Sequence, residues 1–145
     1  MKSGKTERIM SRVNAGDIIN KLKESLTVNS DIVLGFLFGS FAEGTITSSS
    51  DLDIAVYFSG SVDFYRLNKL REDISAMLGI DVDVVVLNSA SPVIKMQVLK
   101  KGKLLINKDR KVYNAFFVDT VNEYDDLKRT RKEIEDKILK GRIYA

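Results

Sequence analysis

The chain reads IVLGFLFGSFAEGTITSSSDLDIAVYF from Ile32 to Phe58, and this stretch decides the fold. Its first run, Ile32–Phe38, is apolar at every position apart from one glycine, which predicts a strand buried on both faces and central in its sheet. A second run, Leu52–Phe58, predicts another strand. The intervening Gly39–Ser50 is rich in glycine, serine and threonine, which is typical of a loop between strands.

The two ends of this loop carry residues suited to phosphates and metals. Gly39-Ser40 can offer peptide N–H groups and a hydroxyl to phosphate oxygens at the end of the first strand. Asp51 and Asp53 lie two positions apart, so they point to the same face of the second strand. Each motif alone also fits a turn or a capping aspartate. The occurrence of both motifs between two predicted strands favours a divalent-metal site that binds a nucleoside triphosphate.

A third carboxylate follows in the next predicted strand, Ile80–Leu87, which reads IDVDVVVL. Asp83 precedes three valines, a setting in which an acidic residue is uncommon. If the second and third strands pair, Asp83 joins Asp51 and Asp53 in one cluster, whose mutual repulsion a bound Mg²⁺ would relieve. Asp81 shares a face with Asp83 and fits either a helper or a turn residue.

The rest of the chain predicts four helices and one short strand. The expected elements are a helix over Val13–Leu26, a helix from Phe64 to Gly79 with Ser61 as its N-cap, a helix from Ser91-Pro92 to Gly102, a strand over Lys103–Asn107, and a long helix from Arg110 to Leu139. The predicted class is therefore α+β, a small mixed sheet with helices packed mainly on one side.

Composition removes several kinds of chemistry. The 145 residues include no cysteine and no histidine, which excludes thiolate sites, Ser-His and Cys-His mechanisms and the usual catalytic zinc sites. Catalysis would depend on carboxylates, hydroxyls, lysines or a bound metal. The net charge of +3 is spread along the chain, so direct nucleic-acid binding is not expected as the main role. No membrane-spanning run or signal peptide is evident, and we expect a cytoplasmic protein.

Four segments of the chain resemble a known family. They are LFGSFAEGT (37–45), SDLDIAV (50–56), DVDVV (81–85) and KGKLL (101–105). Over roughly residues 15–107 they are similar to the minimal nucleotidyltransferase (MNT) domains of the DNA polymerase β-like superfamily. The long helix resembles that of MntA-type antitoxins in HEPN/MNT toxin–antitoxin pairs. The implied organisation is a flexible N-terminus (1–12), a minimal nucleotidyltransferase domain (13–107) and a helical extension (108–145).

The resemblance also implies an activity and its residues. Asp51 and Asp53 would bind two Mg²⁺ ions with Asp83 as the third carboxylate, while Gly39 and Ser40 would hold the triphosphate of ATP. AMP would pass to a tyrosine hydroxyl of a partner HEPN ribonuclease and silence it. Relatives often carry a basic or neutral residue in place of Glu43, which we expect to point away from the triphosphate. Candidate cations for pyrophosphate are Lys95, Lys100, Lys101 and Lys103.

Other functions stay open at this stage. The chain could be a non-catalytic antitoxin that covers its partner with the long helix, whose aromatic residues equally fit packing on its own sheet: Tyr113, Phe116, Phe117 and Tyr124. Nucleotidylation of a small molecule is less favoured, because only 38 residues follow residue 107 to hold an acceptor. The pattern leaves the nucleotide base and the oligomeric state open.

Overall fold

The computed structural model describes residues 15–39 and 52–144, and its helices and strands follow one another in the predicted order. The described elements are α1 (Ala15–Val28), β1 (Ile32–Phe38), β2 (Leu52–Phe58), α2 (Phe64–Leu78), β3 (Val82–Val86), α3 (Pro92–Lys101), β4 (Lys103–Asn107) and α4 (Arg110–Tyr144). The bounds of β1, β2 and β4 agree with the sequence prediction. The predicted N-terminal segment 1–12 lies outside the described residues.

The four strands form one mixed sheet in the order β3-β2-β1-β4. β1 pairs antiparallel with both β2 and β4, and its two-sided apolar sequence agrees with this central position. β2 pairs in parallel with β3, and α2 provides the crossover that a parallel connection requires. The α+β class is confirmed.

Helices cover both faces of the sheet. On one face α1 and α2 contribute Leu22 and Ile74 to a core shared with Ile54. On the other face α3 and α4 contribute Val98 and Phe116 to a second core. The expectation that helices pack mainly on one side is therefore wrong in this respect. The physical reason is that the central strands are apolar on both faces, so each face needs its own cover.

Helix ends are set by local capping. The side chain of Asp63 accepts a hydrogen bond from the Arg66 amide at 2.7 Å, so Asp63 is the N-cap of α2 and the prediction of Ser61 is wrong. A serine two positions earlier lies outside the reach of the first helical amides. Ser91 caps α3 as predicted. No helix within 15–39 and 52–144 is long and apolar enough to cross a membrane.

α4 is the longest described helix, and only its first part packs on the sheet. Its 35 residues extend about 50 Å at about 1.5 Å per residue, and it ends five residues later than predicted. Phe116 is buried, and its ring packs in a tilted arrangement against Phe36 and edge-on against Tyr57, with ring centroids 6.2 and 5.8 Å away. From Lys128 to Gly141 every residue is exposed. The first part of α4 therefore completes the core, and the second part extends beyond it.

Candidate active site

Two of the predicted carboxylates meet at one end of the sheet. Asp53, the second residue of β2, is the register partner of Asp83 in the parallel pair with β3. Register partners on adjacent strands direct their side chains to the same face, about 4.8 Å apart at the backbone. The second and third strands of the sequence therefore pair, as is required for Asp83 to lie beside Asp53.

The two carboxylates differ in environment. Asp53 is half-buried between the fully buried Leu52 and Ile54, whereas Asp83 is exposed. One side of Asp53 is therefore covered by the protein, whereas the side chain of Asp83 is in contact with solvent. Such a pair leaves room for a ligand to approach from the open side.

The turn after β1 is packed directly against Asp53. Gly39 has a φ of 81°, a left-handed conformation that residues with a side chain rarely adopt. A Cβ at this position would overlap Oδ2 of Asp53 and lie 3.2 Å from its Cγ. Asp53 also faces Phe38, its register partner in β1. The missing side chain of Gly39 thus creates the space that the Asp53 carboxylate occupies, a relationship the sequence analysis missed.

The face that carries the two carboxylates is the one covered by α3 and α4. Side chains at alternate positions share a face, so Asp53 lies on the same side as Ala55, which belongs to the core with Val98 and Phe116. The carboxylates lie where β1 ends and β2 and β3 begin. Tyr57, near the other end of β2, is about 13 Å away at about 3.3 Å per residue.

The candidate lysines are distributed over this fold. Lys95 Nζ donates to Glu123 at 2.9 Å, and its side chain is only 13% exposed, so Lys95 is engaged elsewhere. Lys100 Nζ lies 5.9 Å from the centre of the Tyr124 ring. Lys103 is the register partner of Leu37, two residues before Gly39. Lys103 therefore lies near the strand end where Gly39 turns, but its side chain shares the α1 and α2 face with Leu37, opposite the face that carries Asp53 and Asp83. Lys101 is the last residue of α3, which covers the carboxylate face.

Several predicted site residues lie outside the described residues, namely Ser40, Glu43 and Asp51. Asp81 is described; its side chain is exposed and its carbonyl accepts a hydrogen bond from the Leu52 amide at 2.9 Å. Asp81 thus starts the β2–β3 ladder through its main chain.

The chemistry of the donors suits a hard cation. Carboxylate oxygens are the protein ligands that Mg²⁺ prefers, and Asp53 and Asp83 offer them on one face. Within 15–39 and 52–144, no group of three or more acidic, histidine or cysteine side chains could hold a metal. Asp51, the third predicted ligand, is not among those residues.

Sequence comparison places the fold in a family. The polymerase beta nucleotidyltransferase family model matches residues 20–111, and the chain belongs to this family. It is 33% identical over 130 residues to the protein adenylyltransferase MntA of Shewanella oneidensis, covering 90% of this chain and 91% of that protein.

Two solved structures are similar to the described fold. A chain in the crystal structure of a toxin–antitoxin with AMP-PNP has a TM-score of 0.73 and 34% identity, covering 83% of this chain and 98% of that one. A chain in the structure of tri-AMPylated Shewanella oneidensis HEPN toxin with MNT antitoxin has a TM-score of 0.70 and 31% identity, covering 86% and 98%. The chain is therefore homologous to a protein adenylyltransferase over most of its length.

Proposed function

We propose that this chain is a protein adenylyltransferase, which transfers AMP from ATP to a tyrosine hydroxyl of a partner HEPN toxin and so acts as its antitoxin. The observation that carries the proposal is the register pairing of Asp53 with Asp83, with Gly39 packed against Asp53. Homology to MntA over 90% of the chain supports it. The relatives crystallised with AMP-PNP and with an AMPylated HEPN toxin support the nucleotide and the acceptor.

The proposed reaction is a substitution at phosphorus. The tyrosine oxygen forms a bond to the α-phosphorus, the bond from that phosphorus to the β-phosphate oxygen breaks, and pyrophosphate leaves. The phenolic proton passes to solvent, and because a tyrosine hydroxyl has a pKa of about 10, only modest activation is needed to ionise it near neutral pH. AMP stays on the acceptor as a phosphodiester.

Each group of candidate site residues would have a different role in this reaction. Gly39 and Ser40 would orient the triphosphate through main-chain N–H groups and a hydroxyl. Asp51, Asp53 and Asp83 would hold two Mg²⁺ ions, which neutralise phosphate charge and favour the ionised acceptor oxygen. Among the candidate lysines, Lys101 ends α3 on the side of the sheet that carries the carboxylates and would be the one to contact pyrophosphate, whereas Lys103 belongs to the opposite face.

The organisation follows from the same assignment. Residues 13–107 would form the nucleotidyltransferase unit, and residues 108–145 an extension whose first part completes the core. Because ATP is the donor, we expect the reaction to take place in the cytoplasm.

Mass spectrometry tests the proposal directly. The purified chain is mixed with a HEPN-family toxin, ATP and MgCl₂, and the intact mass of each protein is measured. We expect the HEPN protein alone to gain AMP, on tyrosine, and Asp53→Asn to abolish the gain. Inhibition of the toxin without ATP, or by Asp53→Asn as fully as by wild type, would instead support a non-catalytic antitoxin.

A further inference from the structure

The second part of α4 keeps an apolar side although it lies beyond the domain. Ile134 and Ile138 are each 53% exposed, and every residue from Lys128 to Gly141 is exposed. Leaving large aliphatic side chains in water has no benefit for a free helix. A helix that is not covered by its own domain and still carries such residues is typical of a surface that binds another protein.

The exposed isoleucines continue the side of α4 that packs on the sheet. Thr120 is buried, Leu127 is half-buried, and Ile134 follows at the same spacing of seven residues. Residues seven apart lie on nearly the same side of a helix, and Ile138, four residues after Ile134, joins them. Leu127, Ile134 and Ile138 are called the C-terminal stripe below. Within the described ranges, only the Leu127 end of this stripe is partly covered.

The net charge of the same part of α4 favours an acidic partner. Between residues 128 and 141 there are six basic side chains and three acidic ones, a net charge of +3. Two copies of this helix packed together would bring two positive surfaces into contact, which is unfavourable. A partner with acidic residues around an apolar centre would complement both features.

We propose that the C-terminal stripe is a docking site for a helical surface of the acceptor protein, with an apolar centre and an acidic rim. The identity of the acceptor rests on the proposed function, whereas the chemistry of the docking surface rests on α4. Packing of an apolar helix side into a complementary groove is a common mode of recognition. Ile138 lies 22 residues beyond Phe116, roughly 33 Å along the helix, so this contact would be remote from Asp53 and Asp83.

A contact this far from the carboxylates would act by raising the local concentration of the acceptor tyrosine at the active site. Once the acceptor is held by the C-terminal stripe, its tyrosine meets the carboxylates as part of the same complex rather than by free diffusion. The docking site would therefore govern the KM for the acceptor and leave the affinity for ATP unchanged.

The experiment compares two double variants of the full chain. Ile134→Asn with Ile138→Asn, the stripe variant, removes the two exposed isoleucines of the stripe without changing charge. Lys132→Asn with Asp136→Asn replaces two residues on the opposite side of the same turns and also leaves the net charge unchanged. Calorimetry measures the affinity for the HEPN protein at two salt concentrations, labelled ATP reports nucleotide binding, and circular dichroism reports helix content.

We expect the stripe variant to lose at least about tenfold in affinity for the HEPN protein, with ATP binding unchanged. The control should stay within about twofold, and wild-type affinity should fall with salt. Wild-type affinity in the stripe variant would overturn the proposal. The proposal would also be overturned if sedimentation showed that wild type and the control variant are dimers and the stripe variant is a monomer. A stripe-dependent complex that never gains AMP would leave the docking site standing and reject the transferase proposal.

Discussion

Asp53 and Asp83 are register partners in the parallel pair of β2 and β3, yet one is half-buried and the other exposed. Because of this difference, replacing the two residues should disturb the packing of the protein to different degrees. Asp53 lies in β2 between two fully buried residues, and its carboxylate is packed against the Gly39 turn, so its position is fixed by the fold. Asp83 contributes its charge at the solvent edge, where replacing it disturbs little packing.

The first prediction concerns charge at this pair. Asp53→Asn and Asp83→Asn keep the side-chain size but remove a carboxylate, so each should lower AMP transfer by more than about 100-fold while the protein stays folded. Asp125→Asn, an exposed position on α4, is the matched control and should leave the rate unchanged. Transfer is measured with labelled ATP, and folding by thermal denaturation. Wild-type rates in either site variant would reject the assignment.

The second prediction separates two effects of a glycine. Gly39 and Gly79 both have positive φ, 81° and 67°, so alanine at either position should cost about 1–2 kcal/mol in the free energy of unfolding. Only at Gly39 would the new Cβ overlap a carboxylate, since no atom lies within 4 Å of a Cβ at Gly79. Gly39→Ala should therefore also abolish AMP transfer, whereas Gly79→Ala should keep it. Equal activity in both variants would show that Asp53 can move without consequence.

Sequence patterns were sufficient where a segment's own residues determine its structure. β1 and β2 match their predicted bounds because apolar runs end at glycine, serine and aspartate. The sequence predicted that Asp83 would lie beside Asp53 only if the second and third strands pair, and the structure shows that pairing. The functional role of these residues, and of Ser40 and Asp51, stays a prediction.

Features that depend on tertiary packing could not be predicted in the same way. No pattern within α3 or α4 states which sheet face they cover, and the one-sided arrangement was wrong for that reason. Asp63 rather than Ser61 caps α2, because the chain direction before the helix decides which side chain reaches the Arg66 amide. The packing of Gly39 on Asp53 joins two strands and is invisible to local spacing.

The third prediction concerns acid stability. Arg66 donates from Nε and Nη2 to the two carboxylate oxygens of Asp31 at 2.9 and 2.7 Å, and these hydrogen bonds hold the pKa of Asp31 below its usual range. A lowered pKa means that the stabilisation is present above the unfolded-state value, about 3.9, and is lost as pH falls through the folded-state value. Because both side chains are partly exposed, the pair should contribute only about 0.5–1 kcal/mol.

Asp31→Asn should therefore lower the free energy of unfolding at pH 7 by that amount and have a diminishing effect as the pH drops below about 4. Urea denaturation at a series of pH values measures both. A loss of the same size at every pH would mean that the asparagine disturbs packing rather than the ion pair.

The fourth prediction concerns Thr120, which is fully buried in α4 and whose hydroxyl has no hydrogen-bond partner within the described residues. An unsatisfied buried hydroxyl costs stability, and valine has nearly the same shape without the polar atom. Thr120→Val should raise the free energy of unfolding by about 1 kcal/mol, and Thr120→Ser, which keeps the hydroxyl and loses the methyl group, should lower it. Thr120 lies near Tyr57, away from the carboxylate end of β2, so AMP transfer should not change. Destabilisation by valine, measured by denaturant unfolding, would instead mean that the hydroxyl is satisfied in solution.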